Sequence, residues 1–97
     1  MIEVVIERAR RVTFFDILLL LAMWNRGGFA KNSDLVADLS KYYRNITRST
    51  VSTAVKKLAT YGLVAGKEGA YLMTPEGMEF IKLLAKILQS VKVDEEG

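Results

Sequence analysis

The side chains best suited to chemistry lie between residues 47 and 61, where hydroxyl and basic residues alternate with small apolar ones. A helix over this segment, turning about 100° per residue, separates the apolar residues from the polar ones. The apolar face consists of Val51, Ala54, Val55 and Leu58. The polar face has no carboxylate and consists of Ser49, Ser52, Thr53, Lys56 and Thr60, with Arg48 and Lys57 on its flanks. Such a face can contact the base edges and phosphates of a DNA major groove.

The same face could instead be an ordinary solvent-exposed surface. Solvated helices usually place acidic and basic residues four apart, and this segment has no acid. Serine and threonine are mediocre helix formers, so four of them on one outward face need a reason other than helix propensity. We therefore interpret the face as a DNA contact.

The charge distribution favours the same interpretation. The net charge is +3, but residues 39–67 contain six cations and no acid. Residues 1–38 are balanced, with five cations and five anions, and residues 68–97 contain three cations and six anions. A basic centre between neutral and acidic flanks is typical of a nucleic-acid face, although charge alone leaves a basic solvated surface as an alternative.

The absence of cysteine and histidine limits the other function classes. Without cysteine there are no disulfides, zinc knuckles or thiol nucleophiles, and without histidine the commonest general base and metal ligand are missing. A site of carboxylates and lysine is the remaining enzymatic alternative. We expect no enzymatic activity, no metal and no cofactor.

Capping residues and periodicity predict the elements that position this face. Residues 1–12 form an N-terminal segment whose spacing favours a helix, with a strand as the alternative because residues 4–6 are β-branched. Thr13 is the predicted N-cap of a helix from Phe14 to about Asn25, with Asp16 completing a capping box. The pair Gly27-Gly28 ends this helix.

The next segment predicts a helix-turn-helix. Its elements are a short strand at Phe29-Ala30, a second helix from Asp34 to about Tyr43 capped by Ser33, a turn at Asn45-Ile46, and a third helix from Arg48 to Tyr61 capped by Thr47 and ended by Gly62.

A β-hairpin wing and a last helix complete the prediction. Strands at 63–65 and 70–73 flank the loop Gly66-Lys67-Glu68-Gly69. Thr74 caps a helix that begins at Pro75 and runs to about Val91. The expected fold is mainly α with a small wing, in one domain comprising a winged-helix core at 13–74, a C-terminal dimerisation helix at 75–93 and an acidic tail at 94–97.

The first core helix and the last helix carry more apolar surface than one small core can cover. The first is apolar almost all round, and the last has two apolar strips. The strips are Met78, Ile81, Ala85 and Leu88, and Phe80, Leu84, Ile87 and Val91. Both strips could belong to the monomer core, but 97 residues could hardly bury them, so we expect a homodimer built on these helices.

The longest apolar run, Ile17 to Trp24, is shorter than the roughly 20 residues of a membrane span. Asp16 precedes it and no small-residue cleavage site follows, so we expect no signal peptide. The sequence therefore predicts a soluble cytoplasmic protein.

Residues 33–81 resemble the winged-helix core of MarR-type and PadR-type transcriptional regulators and the small winged-helix regulators of archaea and their viruses. The resemblance lies in STVSTAVKKL (49–58), YGLV (61–64) and the hairpin ending LMTPEG (72–77). It implies a dimer with the third helix in the major groove and the wing on an adjacent phosphate or minor groove. Ser49, Ser52, Thr53 and Lys56 match the groove-facing positions, and Lys67 matches the wing tip. The wing here is shorter than in the larger regulators, which favours a phosphate contact.

The predicted function is sequence-specific binding of double-stranded DNA in transcriptional regulation. The predicted DNA-binding residues are Arg44, Asn45, Arg48, Ser49, Ser52, Thr53, Lys56, Lys57 and Lys67. Lys41 and Tyr43 are further candidates for the DNA backbone, although Tyr43 could equally be a surface residue. The alternative is a winged helix used for protein–protein contact. The sequence identifies no small-molecule effector.

Overall fold

A computed structural model of the chain describes residues 11–90, without the side chain of Lys67. The helix predicted within residues 1–12 falls outside this range except for Arg11 and Val12, and the acidic tail falls outside it entirely. In chain order the elements are α1 (Phe14–Asn25), β1 (Phe29–Lys31), α2 (Asn32–Leu39), α3 (Arg48–Thr60), β2 (Val64–Lys67), β3 (Ala70–Met73) and α4 (Pro75–Ser90).

Helix α1 has its predicted bounds and its predicted capping box. The Asp16 N–H donates to Thr13 Oγ1 at 3.2 Å, and the Thr13 N–H donates to Asp16 Oδ2 at 3.0 Å. These two bonds satisfy backbone donors that a helix start leaves unpaired. Gly27 and Gly28 follow the helix with positive φ, which only glycine adopts at little cost.

Helix α2 differs from its prediction at both ends. It begins at Asn32 rather than Asp34, because the Asp34 carboxylate accepts the Lys31 N–H at 3.1 Å and makes Lys31, not Ser33, the N-cap residue. It ends at Leu39 rather than Tyr43. The N–H groups of Tyr42 and Tyr43 both donate to the Leu39 carbonyl. The chain therefore forms a tight turn after Ser40 instead of continuing the α-helix.

Helix α3 confirms the prediction to within one residue. Thr47 Oγ1 accepts the Thr50 N–H at 3.1 Å as the N-cap. The helix ends at Thr60 and Gly62 follows with φ of 79°, the left-handed conformation expected at this position. The predicted inward residues Val51, Ala54, Val55 and Leu58 are all buried.

The strands form an antiparallel three-stranded sheet in the order β1-β3-β2. The predicted four-residue wing loop is wrong, because Gly66 and Lys67 extend β2 and Lys67 pairs with Ala70. The connection is the dipeptide Glu68-Gly69, with φ of 59° and 81°. Positive φ at both central residues is the signature of a type I′ turn, whose twist matches that of the flanking strands.

One core holds these elements together. It contains Leu19, Leu20 and Met23 of α1, Leu35 and Leu39 of α2, the four inward residues of α3, Tyr71 and Met73 of β3, and Phe80 and Ile81 of α4. Thr74 caps α4 as predicted, since its Oγ1 accepts the Gly77 N–H at 2.9 Å. The fold is mainly helical with a small antiparallel sheet, and its element order is compatible with the predicted winged helix-turn-helix.

Candidate nucleic-acid interface

The outward face of α3, defined by Arg48, Ser49, Ser52, Thr53 and Lys56, lies largely open to solvent. Ser52 is half-buried and the other four residues are exposed. Among residues 11–90, the hydroxyls of the two serines and Thr53 have no hydrogen-bond partner. Hydroxyl groups without a protein partner are free to bond to an external one.

Not every hydroxyl of α3 is available in this way. Thr60 Oγ1 donates to the Lys56 carbonyl at 3.0 Å, and Thr50 Oγ1 lies 3.0 Å from Thr47 Oγ1. The free hydroxyls are therefore concentrated in the N-terminal half of α3. In helix-turn-helix proteins that half of the recognition helix contacts the base edges.

Four cations between residues 41 and 56 are exposed, two of them on this face and two in the turn before α3. They are Lys41, Arg44, Arg48 and Lys56, and none forms an ion pair within the described part of the chain. Exposed cations without an ion-pair partner create a positive potential that attracts a polyanion.

Lys57 occupies a different environment from these four cations. Its Nζ lies 2.6 Å from Oδ2 of Asp16, whose side chain is 3% exposed, while the Lys57 side chain is 36% exposed. The contact ties α3 to the first turn of α1 and neutralises both charges. The sequence pattern predicted a capping role for Asp16 but not this ion pair, although a lone acid in an otherwise apolar helix signals a buried carboxylate that needs a partner.

The turn between α2 and α3 presents Arg44 and Asn45 to solvent. Asn45 has φ of 59°, and asparagine is one of the few residues that tolerate this left-handed conformation. The Tyr43 ring packs edge-on against Phe15, with 5.1 Å between ring centroids, and Tyr42 is exposed. Tyr43 therefore anchors the turn to α1.

The wing places the backbone of Lys67 opposite Ala70, next to the Glu68-Gly69 turn. A buried asparagine connects this hairpin to α3. Asn32 Nδ2 donates to the Arg48 carbonyl at 3.1 Å and to the Tyr71 hydroxyl at 3.0 Å. Sequence reasoning missed Asn32, and the available signal was an amide between a strand and a helix start, where it can bond to several elements.

A second polar cluster lies between the end of α1 and α2. Arg26 donates to both carboxylate oxygens of Asp38, at 2.7 and 3.0 Å, and lies 3.8 Å from Asp34. These hydrogen bonds hold the pKa of Asp38 below its ordinary value and raise that of Arg26. The bidentate pair fixes α1 against α2 and leaves Arg26 neutralised.

The described residues offer neither a metal-binding cluster nor a membrane-spanning helix. Within residues 11–90 there is no group of three or more acidic, histidine or cysteine side chains that could hold a metal ion. No helix in the same range is long and apolar enough to cross a membrane.

Comparison with known proteins yields a likeness in structure alone. No protein-family model matches the chain, and no curated protein matches it by sequence. The fold is similar to that of Bordetella bronchiseptica BpsR, in a structure that concerns the regulation of its DNA binding by 6-hydroxynicotinic acid. The TM-score is 0.68 at 18% sequence identity, over 84% of this chain and 58% of the BpsR chain. At this identity the likeness concerns the fold, and this chain spans little more than half of BpsR.

Proposed function

We propose that this chain is a transcriptional regulator that binds double-stranded DNA sequence-specifically, with α3 in the major groove and the wing on the adjacent backbone. The observation that carries the proposal is the outward face of α3, which combines free hydroxyls and unpaired cations with no acid. The structural likeness to BpsR, a protein with regulated DNA binding, supports it. No enzymatic step, metal or cofactor forms part of the proposal, and DNA as the partner implies a cytoplasmic location.

The proposed contacts divide into two kinds. Ser49, Ser52, Thr53 and Lys56 contact base edges, because short hydroxyls and lysine suit the donor and acceptor pattern of the major groove. Arg44, Asn45, Arg48, Lys41 and Lys67 contact phosphates, which fix the register of the protein on the duplex. Lys57 lies at the edge of this surface, where its charge is already paired with Asp16.

We also propose a homodimer formed through α1 and α4. The described globule leaves large apolar side chains of both helices exposed, namely Phe14, Leu21 and Trp24 of α1 and Ile87 and Leu88 of α4. Exposed apolar side chains on two neighbouring helices are typical of a protein–protein interface. Two-fold symmetry would then present two copies of α3 to half-sites about 10 base pairs apart, or a multiple of that spacing.

The dimer is tested by a matched pair of variants on α4. Leu88 is 65% exposed and the neighbouring Gln89 is also exposed, so an aspartate at either position should leave the monomer fold intact. In analytical ultracentrifugation, Leu88→Asp should shift the protein to monomer, while Gln89→Asp should not. A wild-type protein that sediments as a monomer at all concentrations would rule out the dimer.

One observation favours the alternative of a protein-contact module. Phe29 and Leu72 pair across β1 and β3, and each is about half exposed on the outer face of the sheet. A cross-strand apolar pair of this kind could contact another protein.

Salt dependence of DNA binding separates the two functions. A protein that neutralises several phosphates loses affinity steeply as salt rises, because condensed counterions are released on binding. Lys56→Ala should weaken binding, whereas Lys86→Ala, which removes an exposed lysine from α4, should have little effect. No binding to any duplex, or equal effects of the two variants, would favour the protein-contact module.

A further inference from the structure

We infer, on the basis of the proposed function, that Asn32 is a positioning residue that holds the wing and α3 in one fixed arrangement for joint contact with DNA. Asn32 lies at the junction of β1 and α2, away from the outward face of α3, and its side chain is buried. It therefore acts on DNA binding through the two elements it joins rather than by contact.

Three hydrogen bonds from this one residue connect the two elements. The Asn32 backbone N–H donates to the Gly69 carbonyl in the wing turn at 2.7 Å. Its side-chain Nδ2 donates to the Arg48 carbonyl at the start of α3 and to the Tyr71 hydroxyl on β3. A carbonyl can only accept, so the contact with Arg48 also fixes which end of the amide faces α3.

The position of these bonds matters because the chain itself connects the wing to α3 only at the C-terminal end of the helix, whereas Asn32 connects it to the N-terminal end. Gly62 connects the C-terminal end of α3 to β2, whereas the free hydroxyls lie near its N-terminal end. Among residues 11–90, no other hydrogen bond or ion pair joins the N-terminal half of α3 to β3 or the wing turn. Without Asn32 the wing could tilt relative to the end of α3 that contacts bases.

The hydrogen bonds of Asn32 require its side-chain amide and could not be made by an apolar residue of the same size. Asn32 Oδ1 is buried and receives no hydrogen bond from the described residues, which carries a desolvation cost. A leucine of similar size would avoid that cost but could not donate to the Arg48 carbonyl and the Tyr71 hydroxyl. The two donated bonds are thus what the asparagine contributes.

The test is a double-mutant cycle on DNA binding between Asn32→Leu and Lys67→Ala. Lys67→Ala alone should lower the slope of log affinity against log salt by about one, as expected for one phosphate contact. In the Asn32→Leu background the same change should lower the slope by less than half as much. The effect of Lys67→Ala on DNA affinity should differ between the two backgrounds by roughly 2- to 150-fold, the range of coupling for residues in one hydrogen-bond network. An unchanged effect of Lys67→Ala in the two backgrounds would overturn the inference.

Two further variants separate positioning from stability. Tyr71→Phe removes only the hydroxyl acceptor and should reduce the coupling partially, which keeps the test usable if Asn32→Leu folds poorly. Ile81→Val, a mild core change in α4, should lower stability without changing the effect of Lys67→Ala.

Amide hydrogen exchange on the free protein tests the connection without DNA. In Asn32→Leu, exchange should accelerate together at 69–71 and at 51–53, the first amides of α3 that bond to backbone carbonyls, while Ile81→Val should not produce this paired change. Unchanged protection at both places would overturn the inference even if no duplex binds. Failure of the wild type to bind DNA, with the paired acceleration present, would instead refute the proposed function.

Discussion

Replacing Lys57 with methionine should destabilise the fold more than replacing its partner Asp16 with asparagine. Lys57→Met keeps the length of the side chain but leaves a carboxylate that is 3% exposed with a single backbone donor, the Thr13 N–H. Breaking a fully buried pair in this way costs about 3–5 kcal/mol. The Lys57 side chain is 36% exposed, so solvent screens this pair. We therefore expect a smaller loss of unfolding free energy, about 2–3 kcal/mol.

Asp16→Asn should cost only about 1 kcal/mol, a typical value for one lost hydrogen bond. The asparagine oxygen can still accept the Thr13 N–H, and the Lys57 ammonium can turn into water. The double variant should be close to Asp16→Asn in stability, because neither retains an uncompensated buried charge.

The assay is urea and thermal unfolding of the four proteins at one protein concentration, because dimerisation makes stability concentration-dependent. About 2–3 kcal/mol corresponds to a Tm decrease of roughly 8–24 °C for a domain of this size. In DNA binding, folded Lys57→Met should keep the wild-type salt slope, unlike Arg48→Met, which removes a proposed phosphate contact. A Lys57→Met protein as stable as Asp16→Asn, or one with a reduced slope, would refute this account of the pair.

Three further predictions concern the core, the close contact between α4 and the Leu63 backbone, and the stability of the protein at acid pH. Leu58→Ala should lower the free energy of unfolding by about 2–5 kcal/mol through a cavity, and denaturant titration should show DNA binding lost only with the fold. Gly77→Ala should cost about 1–3 kcal/mol or more in the same titration, because the new Cβ would collide with the Leu63 carbonyl oxygen. Asp38→Asn should be less stable than wild type at pH 7. Because Arg26 lowers the folded pKa of Asp38, this difference should persist down to about pH 4 and disappear as pH falls further.

The helices were predictable because their signals are local. The capping box at Thr13 and the left-handed Gly62 each depend on residues a few positions apart, and both are present in the structure. The start of α2 was misplaced because the prediction took the Ser33 hydroxyl as the cap. In the structure the Asp34 carboxylate instead accepts the Lys31 N–H, and the helix begins at Asn32.

The wing register and the side-chain ties were not predictable in the same way. Glycines at 66 and 69 both suggest a turn, and only the pairing of Lys67 with Ala70 across the sheet shows that the turn is two residues long. The bonds from Asn32 to Tyr71 and from Lys57 to Asp16 join residues 39 and 41 positions apart in the chain. Their partners are fixed by tertiary packing, which no local pattern encodes.

Binding-site selection from random duplex DNA tests most directly whether α3 reads sequence. The wild type should select a consensus with two-fold symmetry, and Ser52→Ala and Lys56→Ala should each relax the preference at particular positions. A lost base contact costs roughly 1–3 kcal/mol at its own position. Lys86→Ala, on α4, should select the wild-type consensus. If folded Ser52→Ala and Lys56→Ala also keep that consensus and affinity, α3 is not the element that reads DNA.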